Sequence, residues 1–274
     1  MTECIGDAWR RASQRIARLD ARLLLEQVCG CTHVNLIAHP ERHLLAAEAA
    51  QFDELVARRA AGEPLAYLVG SAFFYGLEFY VSPAVLIPRP DTEVLVEQAK
   101  KRAQKLAAPR VVDMGTGSGI VAILLARLCP SALLTAVDVS LAALDVARSN
   151  ATRHGAQIRF LAGDWYAPLG AERFDLIVSN PPYVADGDPH LRQNGLPFEP
   201  QLALTDGTHD GLACIRTLID GAGPHLLPGG WLLIEHGYDQ AVKVRELLQT
   251  AGFADVGSWC DNAAIERVSG GCLP

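Results

Sequence analysis

From residue 110 onward, short runs of aliphatic and β-branched residues alternate with stretches of helical period, and this alternation leaves the chain few architectures. Strands are expected over 111–114, 133–138, 158–161, 174–179 and 231–235, with helices over 120–128, 141–153 and 240–250. Two closing strands follow near 253–259 and 264–268. Strands and helices in this order build a mainly parallel, doubly wound α/β sheet, whose ligands bind at the carboxyl ends of the strands.

The residues before this sheet read differently. Residues 1–72 make a small N-terminal helical domain, in which Ile16, Leu19 and Leu23 share one face and Arg11, Arg15, Arg18 and Arg22 another. Phe52, Leu55, Val56 and Arg59 belong to a further helix stopped at Gly62 and Pro64. The arginine stripe is either a solvated face or a docking surface for an acidic partner. Residues 73–90 form a hairpin linker of two aromatic runs broken at Gly76, whose rings pack the joint between the domains or meet the substrate. Pro88 and Pro90 forbid a helix before Asp91, and Asp91 or Thr92 caps the one that opens the catalytic body, 91–274.

Charge and cysteine use narrow the function. The 24 Lys and Arg against 31 Asp and Glu give −7, the wrong sign for wrapping a nucleic acid by bulk electrostatics, so no direct nucleic-acid contact is expected. Seven cysteines cannot all pair and read as buried thiols of a reducing, cytoplasmic compartment. Cys29 and Cys31 lack a second Cys/His pair at zinc spacing, so no metal is expected. The charged residues within 1–20 argue against a secretory signal. No segment approaches the ~20 apolar residues of a membrane span.

After the first strand of the body comes Asp113-Met114-Gly115-Thr116-Gly117-Ser118-Gly119-Ile120, a glycine turn opening a helix. A dinucleotide fingerprint starting at Gly115 needs glycine at position 120, where this chain has Ile120. The compact loop Gly115, Thr116, Gly117, Ser118, Gly119 behind an acid suits S-adenosyl-L-methionine instead, with its carboxylate at the helix start. Asp138, at the next strand end, is placed to accept the ribose hydroxyls or to cap a helix. Asp164 and Trp165 follow the third strand, where they meet an adenine or anchor a loop.

The fourth strand runs into Asn180-Pro181-Pro182-Tyr183 at the same sheet edge. The prolines fix the backbone, so the Asn180 side-chain oxygen and the Pro181 carbonyl can form a rigid pair of acceptors for a planar NH2 group, with Tyr183 over its face. An amide or exocyclic nitrogen is a poor nucleophile, and such acceptors strengthen their hold as positive charge develops on it. Asn180, Pro181 and Tyr183 are therefore the candidate catalytic residues. A plain proline turn is the alternative reading.

With these motifs the sequence resembles the release-factor glutamine methyltransferases, which methylate the side-chain amide of the glutamine in the Gly-Gly-Gln loop of peptide-chain release factors. The resemblance spans nearly the whole chain, carried also by residues 62–70, by 86–93, by Phe198-Glu199-Pro200 and by Asp210-Gly211-Leu212. It implies a Rossmann-like class I S-adenosylmethionine-dependent methyltransferase sheet, with 115–119, Asp138, Trp165 and Asn180 on the cofactor. It also implies that Asn180, Pro181, Pro182 and Tyr183 hold the glutamine, that the front helices grip a class I release factor, and that the enzyme works as a monomer leaving S-adenosyl-L-homocysteine. Two departures stand out: Ala263-Ala264 where the family carries a glycine, and a tail, 270–274, without a basic ending. An exocyclic-amine methyltransferase of RNA or DNA would use the same acceptors, and a noncatalytic nucleotide-binding module would keep the loop without Asn180.

Overall fold

The computed structural model describes residues 3–193 and 195–274. They fall into two compact units, one of residues up to 71 together with 192–198, the other of 72–191 and 199–274.

The smaller unit holds α1 (Ile5–Ala12), α2 (Arg18–Cys29), α3 (His33–Ala38), α4 (Ala46–Ala60) and α5 (Leu65–Val69) around Ile5, Leu24, Leu25, Leu36, Phe52 and Val56. A turn over 13–16 separates α1 from α2, so the apolar period restarts at Arg18. The inward face of α2 is then Ala21, Leu24 and Leu25, while Leu19 is exposed. The same break corrects the arginine stripe. Arg11 lies in α1 and pairs with Glu3 and Asp53, Arg18 stacks on Trp9 at 4.4 Å, and Arg22 faces Glu26. The segment 192–198 joins this unit through Gly195, where an added Cβ would stand 2.9 Å from Pro64.

The body opens with the hairpin β1 (Ser71–Phe74) and β2 (Leu77–Tyr80), turned at Tyr75 and Gly76. Phe74 and Phe79 are buried in the body's own core, whereas Phe73 is 77% exposed. Two of these rings thus belong to the layer that covers the sheet. Then follow α6 (Thr92–Ala103), β3 (Arg110–Met114), α7 (Ile120–Leu128), β4 (Leu133–Asp138), α8 (Leu141–His154), β5 (Ile158–Ala162), β6 (Phe174–Ser179), α9 (Ala213–Ala222), β7 (Leu226–Glu235), α10 (Ala241–Thr250), β8 (Ala254–Cys260) and β9 (Glu266–Cys272). The seven-stranded order is β5-β4-β3-β6-β7-β9-β8, parallel through β7 and antiparallel at β9 and β8.

Period-two alternation splits the core into two layers. Val111, Leu176, Val178 and Leu233 pack with α6 and α7, while Val112, Ile177, Leu232 and Ile234 pack with α9 and α10. The last strand lies later than expected because Asp261 accepts from Ala263 and Ile265 amides in a tight turn, which holds Ala264 outside the ladder at φ 61°. Asp91 precedes α6 without capping it through its side chain, and meets Arg267 of β9 instead. All seven cysteines are free thiols, but only Cys29, Cys31 and Cys129 are buried. Among the described residues, no helix is long and apolar enough to cross a membrane.

Candidate active site

The parallel strands β3, β4 and β6 end side by side, and a cavity opens at these ends. Gly115, Thr116, Gly117 and Ser118 line it, together with Asp138, Asp164, Trp165, Asn180 and Pro182. Residues from four separate places in the sequence thus meet at one edge. Gly119, Pro181 and Tyr183 lie outside the lining. Gly119 caps α7 at φ 82°, with Ala147 and Ile123 3.1 Å from where a Cβ would be, so its role is close helix packing.

The glycine turn is held from both sides. Asp113, fully buried beneath it, accepts from the Thr116 hydroxyl at 2.7 Å and from the Ala122 amide at 3.3 Å. Burial pushes its carboxyl up to about 7, against those two bonds. Asp138 accepts from the Gly117 amide at 2.8 Å and the Ser140 amide at 2.9 Å. Asp138 is therefore a loop brace, yet each carboxylate oxygen keeps a second lone pair for a ligand. Burial raises its pKa as well. Above Gly117, at φ 55°, a Cβ would meet nothing within 4 Å, whereas the Trp165 ring lies 3.7 Å from the Cβ position of Gly115. The turn leaves room for a ligand to approach its backbone, and an indole closes one side. These residues fit a nucleoside carrying an amino-acid tail: acids at the strand ends for hydroxyl and amino groups, an aromatic wall, and an open glycine turn at a helix start.

The rim explains two of the motifs. Leu86, Pro88 and Arg89 line the cavity on one side and Pro200, Leu202 and Ala203 on another. The buried Glu199 carboxylate fastens them, accepting from the Ile87 amide at 3.0 Å and from the Arg89 guanidinium. An apparently isolated Phe-Glu-Pro thus becomes a clasp on Ile-Pro-Arg.

The turn after β6 is clamped by residues that sequence reasoning passed over. Asn180 Nδ2 donates to the Thr92 hydroxyl at 3.2 Å. The Tyr183 hydroxyl donates to Glu235 at 3.4 Å, and burial beside Glu235 pushes the tyrosine's pKa well above its usual range. The Gln240 amide nitrogen donates to the carbonyls of Tyr183 and Asp210, both at 3.0 Å. Gly211, at φ 62°, presses against the Tyr183 carbonyl so closely that any Cβ would overlap it, which accounts for the glycine in Asp-Gly-Leu. Glu235 had a signal available, because an acid that closes the apolar run 231–234 beside β6 demands a buried partner.

A Methyltransferase small domain matches residues 90–194, and a PrmC N-terminal domain matches residues 8–70. The release factor glutamine methyltransferase of Burkholderia pseudomallei is 53% identical over 263 residues, covering 93% of this chain and 92% of that protein. The protein of the same description from Bordetella pertussis is 52% identical over 263 residues, covering 96% and 97%. A methyltransferase structure from Pyrococcus furiosus superposes with a TM-score of 0.54 at 18% identity, over 79% of this chain and 96% of that one, a likeness of fold alone. The sheet is that of the class I S-adenosylmethionine-dependent methyltransferases. Close relatives matching almost end to end, on a chain whose glycine turn and Asn-Pro-Pro-Tyr share one sheet edge, show that the chain belongs to the release factor glutamine methyltransferase family.

Proposed function

We propose that the protein transfers a methyl group from S-adenosyl-L-methionine to the side-chain amide nitrogen of the glutamine in the Gly-Gly-Gln loop of class I peptide-chain release factors, supporting translation termination. The observation that carries this reading is Asn180 on the wall of the same cavity as the glycine turn and Asp138. When bound, the cofactor supplies an electrophilic methyl on a sulfonium and a thioether leaving group.

The residues of the chain do the rest. Gly115, Thr116, Gly117, Ser118 and Gly119 shape the turn that receives the cofactor, Asp138 and Asp164 accept from its hydroxyl and amino groups, and Trp165 packs on it. Asn180 Oδ1 and the Pro181 carbonyl accept the two amide hydrogens of the glutamine, while Pro182 and Tyr183 keep the group planar and dry. As the N–C bond forms, the nitrogen becomes more acidic and both hydrogen bonds strengthen, so they stabilise the transition state more than the ground state. The carbon–sulfur bond of the donor breaks as the N–C bond forms, and the nitrogen releases one proton to solvent water to complete the secondary amide, since a carboxamide and a peptide carbonyl accept hydrogen bonds but do not keep a proton.

The helical unit, 1–72, supplies the surface that grips the release factor, since one glutamine side chain offers too little contact for selectivity. A nucleic-acid exocyclic amine would fit the same acceptors, but the net charge of −7 and the full-length relatives favour the protein substrate.

Asn180→Ala is the direct test. It should leave the affinity for S-adenosyl-L-homocysteine within about twofold by calorimetry while lowering kcat by about a hundred- to a thousandfold, the scale of one lost preorganised hydrogen bond. An alanine enzyme with wild-type kcat would remove Asn180 from the chemistry.

A further inference from the structure

Asn180 can serve as an acceptor only if its amide is turned one way, and the partner that its nitrogen meets lies outside the turn after β6, on α6. The discrimination lies one residue deeper. Asn180 Nδ2 donates to Thr92 Oγ1 at 3.2 Å, and Thr92 is itself buried at the start of α6. A threonine hydroxyl has one hydrogen, and an oxygen that is accepting must send it elsewhere. Glu235, 0% exposed at the end of β7, is engaged by the Thr92 side chain, and its Oε2 has no hydrogen-bond partner among the described residues. The Thr92 hydroxyl, whose hydrogen is not directed at Asn180, thus sits against a buried carboxylate with one oxygen left to accept it.

We propose that Glu235 is a positioning residue, which draws the Thr92 hydroxyl hydrogen toward itself and so makes Thr92 accept from Asn180, leaving Asn180 Oδ1 as the atom offered to the substrate. The inference rests on the reading of Asn180 as the acceptor of the substrate NH2 group. An ionised carboxylate can only accept, so the order Asn180 to Thr92 to Glu235 has a single polarity. The Tyr183 hydroxyl donates to the other oxygen of Glu235 at 3.4 Å, which ties the far end of the same turn to the same carboxylate. One buried group thereby orients both side chains that flank the two prolines.

The polarity depends on ionisation. Burial pushes the Glu235 carboxyl up to about 7, and the negative charge of Asp91 pushes the same way. The Thr92 and Tyr183 hydroxyls and the positive charge of Arg267 oppose it, while the neighbouring His236 ring turns away to Ser269 and the Gly237 carbonyl. Once protonated, Glu235 has a hydrogen to give to Thr92, whose own hydrogen is then free to point at Asn180 and to favour the reversed amide. Turnover should therefore fall as pH falls through about 7.

The test is kcat for methyl transfer, on both sides of pH 7, by the full-length wild-type, Glu235→Gln, Thr92→Val and Thr92→Ser enzymes, each shown by circular dichroism to be folded and by calorimetry to bind S-adenosyl-L-homocysteine as the wild type does. Glutamine in place of Glu235 can present either oxygen or nitrogen to Thr92. Glu235→Gln and Thr92→Val should thus lose about ten- to hundredfold in kcat with little change in cofactor affinity, and Glu235→Gln should lose the pH step. Thr92→Ser, which keeps the hydroxyl, should stay near wild type. Wild-type kcat and pH profile in Glu235→Gln, or a Thr92→Ser enzyme as slow as Thr92→Val, would overturn the proposal. Asn180→Ala, run alongside, separates the two levels. If it is inactive while Glu235→Gln is fully active, only the role of Glu235 falls, whereas a fully active Asn180→Ala removes the acceptor reading beneath it.

Discussion

At the scale of single residues, two buried carboxyls carry opposing duties. Asp113 and Glu235 are both pushed up to about 7 by burial, so each binds a proton more tightly in the folded chain than in the unfolded one. For a carboxyl with a raised pKa, stability is fully present below the unfolded pKa and declines as pH rises through the folded one. Urea denaturation of the cofactor-free enzyme should therefore show stability falling between about pH 4.5 and 7, and Glu235→Gln should flatten that fall by up to about 3 kcal/mol. An unchanged pH dependence in that variant would mean that Glu235 titrates normally. A stability gain coupled to lost turnover is the signature of a charge kept for function. The glycine turn and the turn after β6 were legible at this scale, because glycine spacing and paired prolines leave few backbone solutions, whereas the rim from Leu86 to Arg89 and from Pro200 to Ala203 was not placed at the cavity. Thr92 was read only as a cap and Gln240 not at all, and the signal at Glu235 marks a buried acid without naming its partners, since hydrogen bonds between separate elements have no sequence spacing.

At the scale of elements, short apolar runs and the glycine turn before α7 located β3 to β6 within a residue or two, most firmly for β3 and β6, whose burial on both faces demands continuous apolar runs. The short helix α9 escaped notice, hidden behind the irregular stretch that carries Glu199 and Gly211. The break at 13–16 was missed as well, because short helices with arginine on their outer faces imitate one longer helix. The departure at Ala264 has a structural consequence. Its φ of 61° is a left-handed conformation that costs a residue with a Cβ about 1–2 kcal/mol, part of which glycine returns through its freer unfolded chain. Ala264→Gly should accordingly raise stability by about 0.5–1 kcal/mol in urea titrations without altering kcat, and a loss of stability would show that the turn holds Ala264 without strain.

At the scale of the whole molecule, the chain combines a sheet that many methyltransferases share with a helical unit matched by its own family domain. Residues 192–198 return to that unit, and the sequence gives no periodic hint of the excursion. A truncated enzyme lacking residues 1–72 therefore also strips Gly195 of its contact with Pro64. If folded, it should bind S-adenosyl-L-homocysteine nearly as the full chain does but show a KM for release factor raised by at least about tenfold. An unchanged KM would assign recognition to the body alone. The measurement that bears most directly on the function is the position of the methyl group. Full-length enzyme, methyl-labelled S-adenosyl-L-methionine, a class I release factor and an RNA mixture are incubated together, and the label is located by peptide mass spectrometry. It should reside on the side-chain amide of the glutamine in the Gly-Gly-Gln loop and vanish when that glutamine is replaced by alanine. Label in the RNA with an unmodified release factor would contradict the proposed function.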